Sequence, residues 1–279
     1  MRAARAAFVA LLISLMVLPI IVIQWLLVQI WPKGAKWFPV RVNRMFLFLL
    51  NIQVTLDGDL ATNGPVLIVS SHSSWIDILA INSLGPSYFV AKQEVANWPI
   101  FGTLAKLKGT FFLDRTSRQA TGIATTELAA RLLDGDRMVL FPEGTSSDGN
   151  RVLPFKSAII GAVEKAFLNS EFDDILIQPM AVAFVSCHGI PLSRTDRHFF
   201  TWFGDMELLP HIWGVLMRAP VEIVISVGEP FRHSKYPNRK ILTRLLETEV
   251  RRMLLSSIMG RKLANIDMLP ATHRSPGQD

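Results

Sequence analysis

From Ala6 to Trp31 the chain is apolar at almost every position. At about 1.5 Å per residue the run is long enough to cross the roughly 30 Å hydrocarbon core of a bilayer. Pro19, near its middle, predicts a kink or a break in the helix. Trp25 and Trp31 carry the amphipathic rings that settle at membrane interfaces. Arg2 and Arg5 precede the run, and Lys33, Lys36, Arg41 and Arg44 follow it, with no acidic residue before Asp57. Positive charge on both flanks selects no orientation, so a simple span and a kinked segment returning to the same face both stay open. A cleaved signal peptide is the competing reading. The run is longer than a usual signal core and Trp31–Lys36 is a poor cleavage site, which favours an anchor. A second apolar patch, Met45–Leu50, either pairs with the first or opens the folded domain.

From Ile52 onward short apolar runs alternate with helical stretches. The runs Gln53–Leu56, Val66–Ser70, Ser87–Ala91, Gly109–Leu113, Arg137–Phe141, Asp174–Phe184 (broken at Pro179) and Val221–Val227 predict strands, the first of them at an edge. Between them the spacing predicts helices from Ile76, over Trp98–Lys108, over Ser117–Leu133 with Gly135 as its stop, and over Phe155–Asn169. Asn238–Met259 reads as an amphipathic helix stopped by Gly260, and the residues after Leu269 hold no large apolar side chain to pack, which predicts a frayed tail. Strands separated by helices imply an α/β fold: a single largely parallel or mixed sheet flanked by helices, with an N-terminal hydrophobic membrane-anchoring helix or helical hairpin. The expected organisation is a membrane-associated segment at 1–50, one α/β domain at 51–262, and a tail at 263–279.

Composition narrows the class. Half of the 279 residues are hydrophobic, the net charge is +6 and the pI about 9.7. That balance suits an anionic lipid surface or an acidic carrier protein. Nucleic acid is the poorer partner, because no stretch combines dense basic and aromatic residues in a reading motif. Cys187 is the single cysteine, which excludes an intramolecular disulfide and a cysteine metal site; it is expected to be a small buried hydrophobe. No metal and no cofactor is expected.

Three strand ends carry polar residues that cores avoid, and in a parallel sheet they share one edge. At the first, His72 follows Val66–Ser70, and Asp77 lies about one turn into the next helix, with Ser73 or Ser74 as its cap. Asp77 can reach back to one ring nitrogen, fix the tautomer and leave the other nitrogen to take a proton. At the second, Asp114-Arg115 follows Phe111-Phe112-Leu113, and a guanidinium there can grip a phosphate through two parallel bonds. The third is Glu143-Gly144-Thr145-Ser146-Ser147. Gly144 permits close backbone approach, successive N–H groups can form an anion nest, and Glu143 can accept from a substrate hydroxyl or pair with Arg115 or Lys156. Each turn read alone is also an ordinary solvated strand end.

Taken together, these motifs resemble the lysophospholipid acyltransferase family, the glycerolipid acyltransferases. The resemblance is carried by His72-Ser73-Ser74-Trp75-Ile76-Asp77 (the family's HX4D motif), Gly109–Arg115, Phe141-Pro142-Glu143-Gly144-Thr145-Ser146-Ser147 and Ile177–Val182, in family order over about residues 50 to 230. Ser71 and Ser146 depart from it, standing where the family usually has Asn and commonly has Arg. The segment Arg197–Met206 is similar to the branch that acylates lyso-ornithine lipid and to some bacterial lysophosphatidate enzymes.

The resemblance implies a membrane-associated O-acyltransferase of phospholipid biosynthesis. It would move an acyl group from an acyl-ACP or acyl-CoA thioester to the hydroxyl of a lysophospholipid such as 1-acyl-sn-glycerol-3-phosphate, or of lyso-ornithine lipid. His72 and Asp77 would be catalytic; Arg115, Glu143, Gly144 and Thr145 would hold the acceptor head, with Lys156 beside them. The expected location is the cytoplasmic face of a bacterial inner membrane. Two other classes compete: a lipid hydrolase using Ser71 or Ser73, which lacks a Gly-x-Ser-x-Gly elbow, and an inactive membrane-binding module.

Overall fold

The structure, a computed structural model, describes residues 2–62, 65–113, 135–158, 160–161, 175–236 and 238–261. Helix α1 (Arg2–Ile30) and helix α2 (Pro32–Leu50) follow each other across Trp31 and pack together. Of the kink or break expected at Pro19, the break does not occur, and α1 continues through it. The ring removes one N–H from the ladder, and long apolar turns on both sides keep the helix formed. Leu11, Leu15, Leu18 and Trp25 are each more than half exposed, whereas Ala6 and Val9 sink into the core of the α/β domain. Gln24 is the buried polar exception in α1. Its Nε2 donates to Ala35 O in α2 and to Leu107 O in α4 (Phe101–Lys108), both at 3.2 Å. Helix α4 begins later than the expected Trp98, after a tight turn over Gln93–Asn97.

The strands are β1 (Ile52–Asp57), β2 (Val66–Ser70), β3 (Tyr88–Lys92), β4 (Phe111–Leu113), β5 (Arg137–Leu140), β6 (Leu176–Cys187), β7 (Ile190–Pro191), β8 (Val221–Val227) and β9 (Phe231–Arg232). They form one mixed sheet in the order β1-β8-β6-β2-β5-β3-β4, with β7 and β9 on β6. Strand β2 lies parallel to both β5 and β6, β3 parallel to β4 and β5, and β8 antiparallel to β6. β1 is an edge strand, as its pattern predicts.

Strand β6 is not broken at Pro179, contrary to expectation. On the side away from β2, pairing to β9 ends at Ile177 and pairing to β8 starts at Met180. The missing N–H of Pro179 falls in that gap, where its carbonyl accepts from Gly228 N–H at 2.9 Å. Gln178 closes the same gap, donating to Asp59 O at 2.8 Å and to Gly228 O at 2.9 Å.

Alternation divides the core. Leu67, Val69, Met138 and Leu140 face the layer made with α6 (Arg239–Ile258), through Leu242, Leu246, Val250 and Met253. Val66, Ile68, Val139 and Met180 face the layer made with α2, α3 (Trp75–Ser83) and α5 (Leu208–Arg218). Asn238 caps α6 by accepting from Lys240 and Ile241 N–H, and Gly260 follows its end with φ +63°, as the pattern predicts. Helix α5 was not legible, because Pro210 and Gly214 interrupt its short apolar stripe. The expected helix over Ser117–Leu133, most of Phe155–Asn169 and the tail lie outside the described residues.

Val69 lies opposite Leu140, and Phe89 opposite Val139. The turns after β2 and β5 therefore leave the sheet at the same level on one rim, and parallel β4 ends on that rim too.

Candidate active site

Asp77 is the third residue of α3, where a carboxylate meets the free N–H groups of a helix start. Its Oδ2 accepts from Ser73 N–H at 2.7 Å and from Ser74 N–H at 2.9 Å, and lies 3.0 Å from His72 Nδ1. Asp77 is fully buried, while the His72 side chain is 20% exposed, so the pair has one shielded and one open end. A carboxylate facing Nδ1 selects the tautomer with its proton on that atom, leaving Nε2 as the basic nitrogen.

The loop is held by its backbone. Glu143 Oε1 accepts from His72 N–H at 2.8 Å, and Oε2 accepts from Leu153 N–H at 2.7 Å. Ser147 N–H donates to His72 O, and Trp202 N–H to Ser73 O, both at 2.8 Å. Ser71, where the family usually has Asn, accepts Val182 N–H on its Oγ at 3.1 Å. Phe141 stacks on the imidazole at 4.2 Å between centroids, Phe89 stacks on Phe141 at 5.9 Å, and Lys108 Nζ lies 4.2 Å over the Phe89 ring. Burial holds the Lys108 ammonium well below its ordinary pKa.

These contacts correct several expectations. Glu143 is 1% exposed and directs both oxygens at backbone donors, so it neither faces a substrate hydroxyl nor pairs with Lys156. The Lys156 side chain is exposed, and its backbone N–H holds Pro142 O at 2.9 Å. Gly144 has φ +70°, the left-handed turn that glycine suits, but its N–H bonds Phe141 O at 3.1 Å. With Ser147 N–H given to His72 O, two donors expected of an anion nest are spent inside the turn. Thr145 is exposed beside it. Asp114 and Arg115 lie outside the described residues. Ser71 and Ser73 are 4% and 3% exposed, which removes the footing for a serine hydrolase. Cys187 is only half-buried, its Sγ 3.4 Å from Arg218 O.

Burial pushes the Glu143 carboxyl up to about 8, against the pull of two backbone N–H groups and with help from the Asp77 charge. A carboxyl raised on folding takes up protons that the unfolded chain does not hold. Its contribution to stability is complete below the unfolded value and is lost as pH rises through about 8. Thermal unfolding of the detergent-solubilised protein is therefore expected to show stability falling between about pH 5 and pH 8, by at most about 1.4 kcal/mol per pH unit from this group. The slope from this group disappears in Glu143→Gln.

Sequence reasoning missed two neighbours of the loop. Trp202 lies in the aromatic segment Arg197–Met206, but nothing in the pattern marked its backbone as a clamp on Ser73. His211 in α5, whose Nδ1 accepts Trp75 Nε1–H at 3.0 Å, carried no signal as a lone histidine.

Residues 51–183 match the Acyltransferase family model. The chain is 36% identical over 279 residues to the lyso-ornithine lipid O-acyltransferase of Rhizobium meliloti, covering 100% of this chain and 94% of that one. It is 39% identical over 258 residues to the protein of the same name from Brucella abortus, covering 92% and 95%. Among solved structures, the fold is similar to that of the 1-acyl-sn-glycerophosphate acyltransferase PlsC of Thermotoga maritima, with TM-score 0.63, 19% identity, and coverage of 94% of this chain and 97% of that one.

Proposed function

The chain belongs to the acyltransferase family, as an enzyme of lysophospholipid type, and from that premise we propose that it acylates the free hydroxyl of lyso-ornithine lipid. The likeness that supports this acceptor runs the whole length of the chain, including the segment after β6 that the family model does not reach. Ser146, where a cation is common, weakens the competing reading of a phosphate-headed acceptor.

His72 Nε2 takes the proton from the acceptor hydroxyl as its oxygen attacks the carbonyl of an acyl-ACP or acyl-CoA thioester. Asp77 stabilises the imidazolium that forms. Collapse of the tetrahedral intermediate expels the thiolate, which recovers the proton from the imidazolium. No acyl-enzyme is required. The observation that carries this mechanism is the His72 Nδ1 to Asp77 Oδ2 contact at 3.0 Å on a loop tied at both its N–H and its carbonyl.

Residues 1–50 form the membrane-associated segment of this reading and 51–262 the catalytic domain. The exposed apolar face of α1 supports placement at a bilayer, where the lysolipid resides, and the basic flanks draw it to anionic lipid. A bacterial inner membrane, with the site on the cytoplasmic side where carrier-bound acyl groups are found, completes the proposal. Lipid extracts test the acceptor. A strain lacking the protein is expected to accumulate lyso-ornithine lipid and lose its diacyl product; accumulation of lysophosphatidate instead would transfer the assignment to the phosphate acceptor.

A further inference from the structure

Beside the loop after β5 lies a cavity of about 430 Å³, walled by Ser146, Asp148, Asn150, Arg151 and Arg194 among others. The wall residue Asn150 is held by Arg197, 3% exposed, which donates to Asn150 Oδ1 at 2.5 Å, Phe184 O at 2.9 Å and Leu192 O at 3.0 Å. Asn150 Nδ2 in turn donates to Arg194 O at 3.1 Å. That guanidinium is consumed in building the wall. Arg151 and Arg194 are exposed, and among the described residues their guanidinium groups have no hydrogen bond or ion pair. Asp148 uses one oxygen on Asn150 N–H at 3.1 Å.

The cavity is coupled to the reacting loop. Ser147 and Leu153 also line it. Ser147 N–H holds His72 O, and Leu153 N–H shares the Glu143 carboxylate with His72 N–H. A head group seated here is thus one backbone contact away from the imidazole's own loop.

Two free cations and a carboxylate on the wall of one cavity make a dipolar site. A phosphate head would meet Asp148 as a like charge. Ornithine acylated on its α-amine keeps a carboxylate and a terminal ammonium, and it has no hydroxyl of its own, so the acylated oxygen must sit on the chain. Resting on the acceptor proposed above, we infer that this cavity seats the amino-acid head group. Arg151 and Arg194 receive its carboxylate and Asp148 its terminal ammonium, which leaves the chain hydroxyl to reach His72.

The test uses the full-length protein in detergent with an acyl-ACP donor and three acceptors on one hydroxyacyl chain. These are the ornithine amide, the norvaline amide, which lacks the ammonium, and the putrescine amide, which lacks the carboxylate. Arg151→Gln and Arg194→Gln are expected to lower kcat/KM about tenfold for the ornithine and norvaline acceptors and little for putrescine, since a charge-assisted contact is lost only where the carboxylate exists. Asp148→Asn, which keeps an oxygen for Asn150 N–H, is expected to lower it for the ornithine and putrescine acceptors and little for norvaline. Circular dichroism confirms that each variant is folded. Equal losses on all three acceptors, or no loss on any, overturn the head-group site and leave the proposed acceptor standing. Failure of the wild-type protein to acylate the ornithine amide at all overturns both.

Discussion

Replacing His72 with alanine is expected to lower kcat for acyl transfer by about 10³-fold, with little change in folding. A hydroxyl is a poor nucleophile until its proton is taken, and a positioned base contributes about 10²- to 10⁴-fold. The geometry of His72 suits it to be that base, because the ring is part-exposed and its Nδ1 faces a buried carboxylate. Its side chain meets Asp77 and stacks on Phe141, and the bonds that shape the loop use backbone N–H and carbonyl groups that alanine retains. The variant should therefore bind both substrates and fail at the chemical step. Steady-state assays of product formation check this, with unfolding temperature measured alongside.

Replacing Asp77 has a different signature. Asp77→Ala removes the acceptor of Ser73 and Ser74 N–H as well as the partner of Nδ1. Each buried donor left without a partner costs about 1–3 kcal/mol, so a loss of about 2–6 kcal/mol in stability is expected together with about a 10²- to 10³-fold fall in kcat. Asp77→Asn separates the two effects. Its amide oxygen, with two lone pairs, can still take the two backbone N–H groups, but it carries no charge to stabilise the imidazolium. Stability is expected to recover largely, while kcat stays about 10- to 10²-fold down. Full activity in Asp77→Asn would show that the charge does not matter to the reaction.

The parts that could be read from the chain are those where local pattern and chemistry agree. Val66–Ser70 is apolar at four successive positions, so it had to be a central strand, and His72 had to emerge at its end. Asn238 opens a helix with its side-chain oxygen and Gly260 closes it with a left-handed backbone turn, both local effects. Pro179 misled because a proline in a strand is costly only where its N–H is needed, and the offset between β9 and β8 that spares it is a tertiary fact. Glu143 misled for a related reason. A carboxylate in a turn looks available to a ligand, and only the fold shows two backbone N–H groups already aimed at it. The head-group cavity was illegible because Arg194 and Arg151 are 43 positions apart and meet only when the chain after β6 folds back.

The central claim is that the acceptor hydroxyl, with its proton taken by His72, attacks the thioester directly. Thiol release from acyl-ACP by the purified full-length protein, measured with and without lyso-ornithine lipid and matched to the diacyl product, tests it most directly. Release only when the acceptor is present, equal in amount to product, and nearly absent in His72→Ala, is the expected result. Thiol release without acceptor, or undiminished transfer by His72→Ala, would contradict the account.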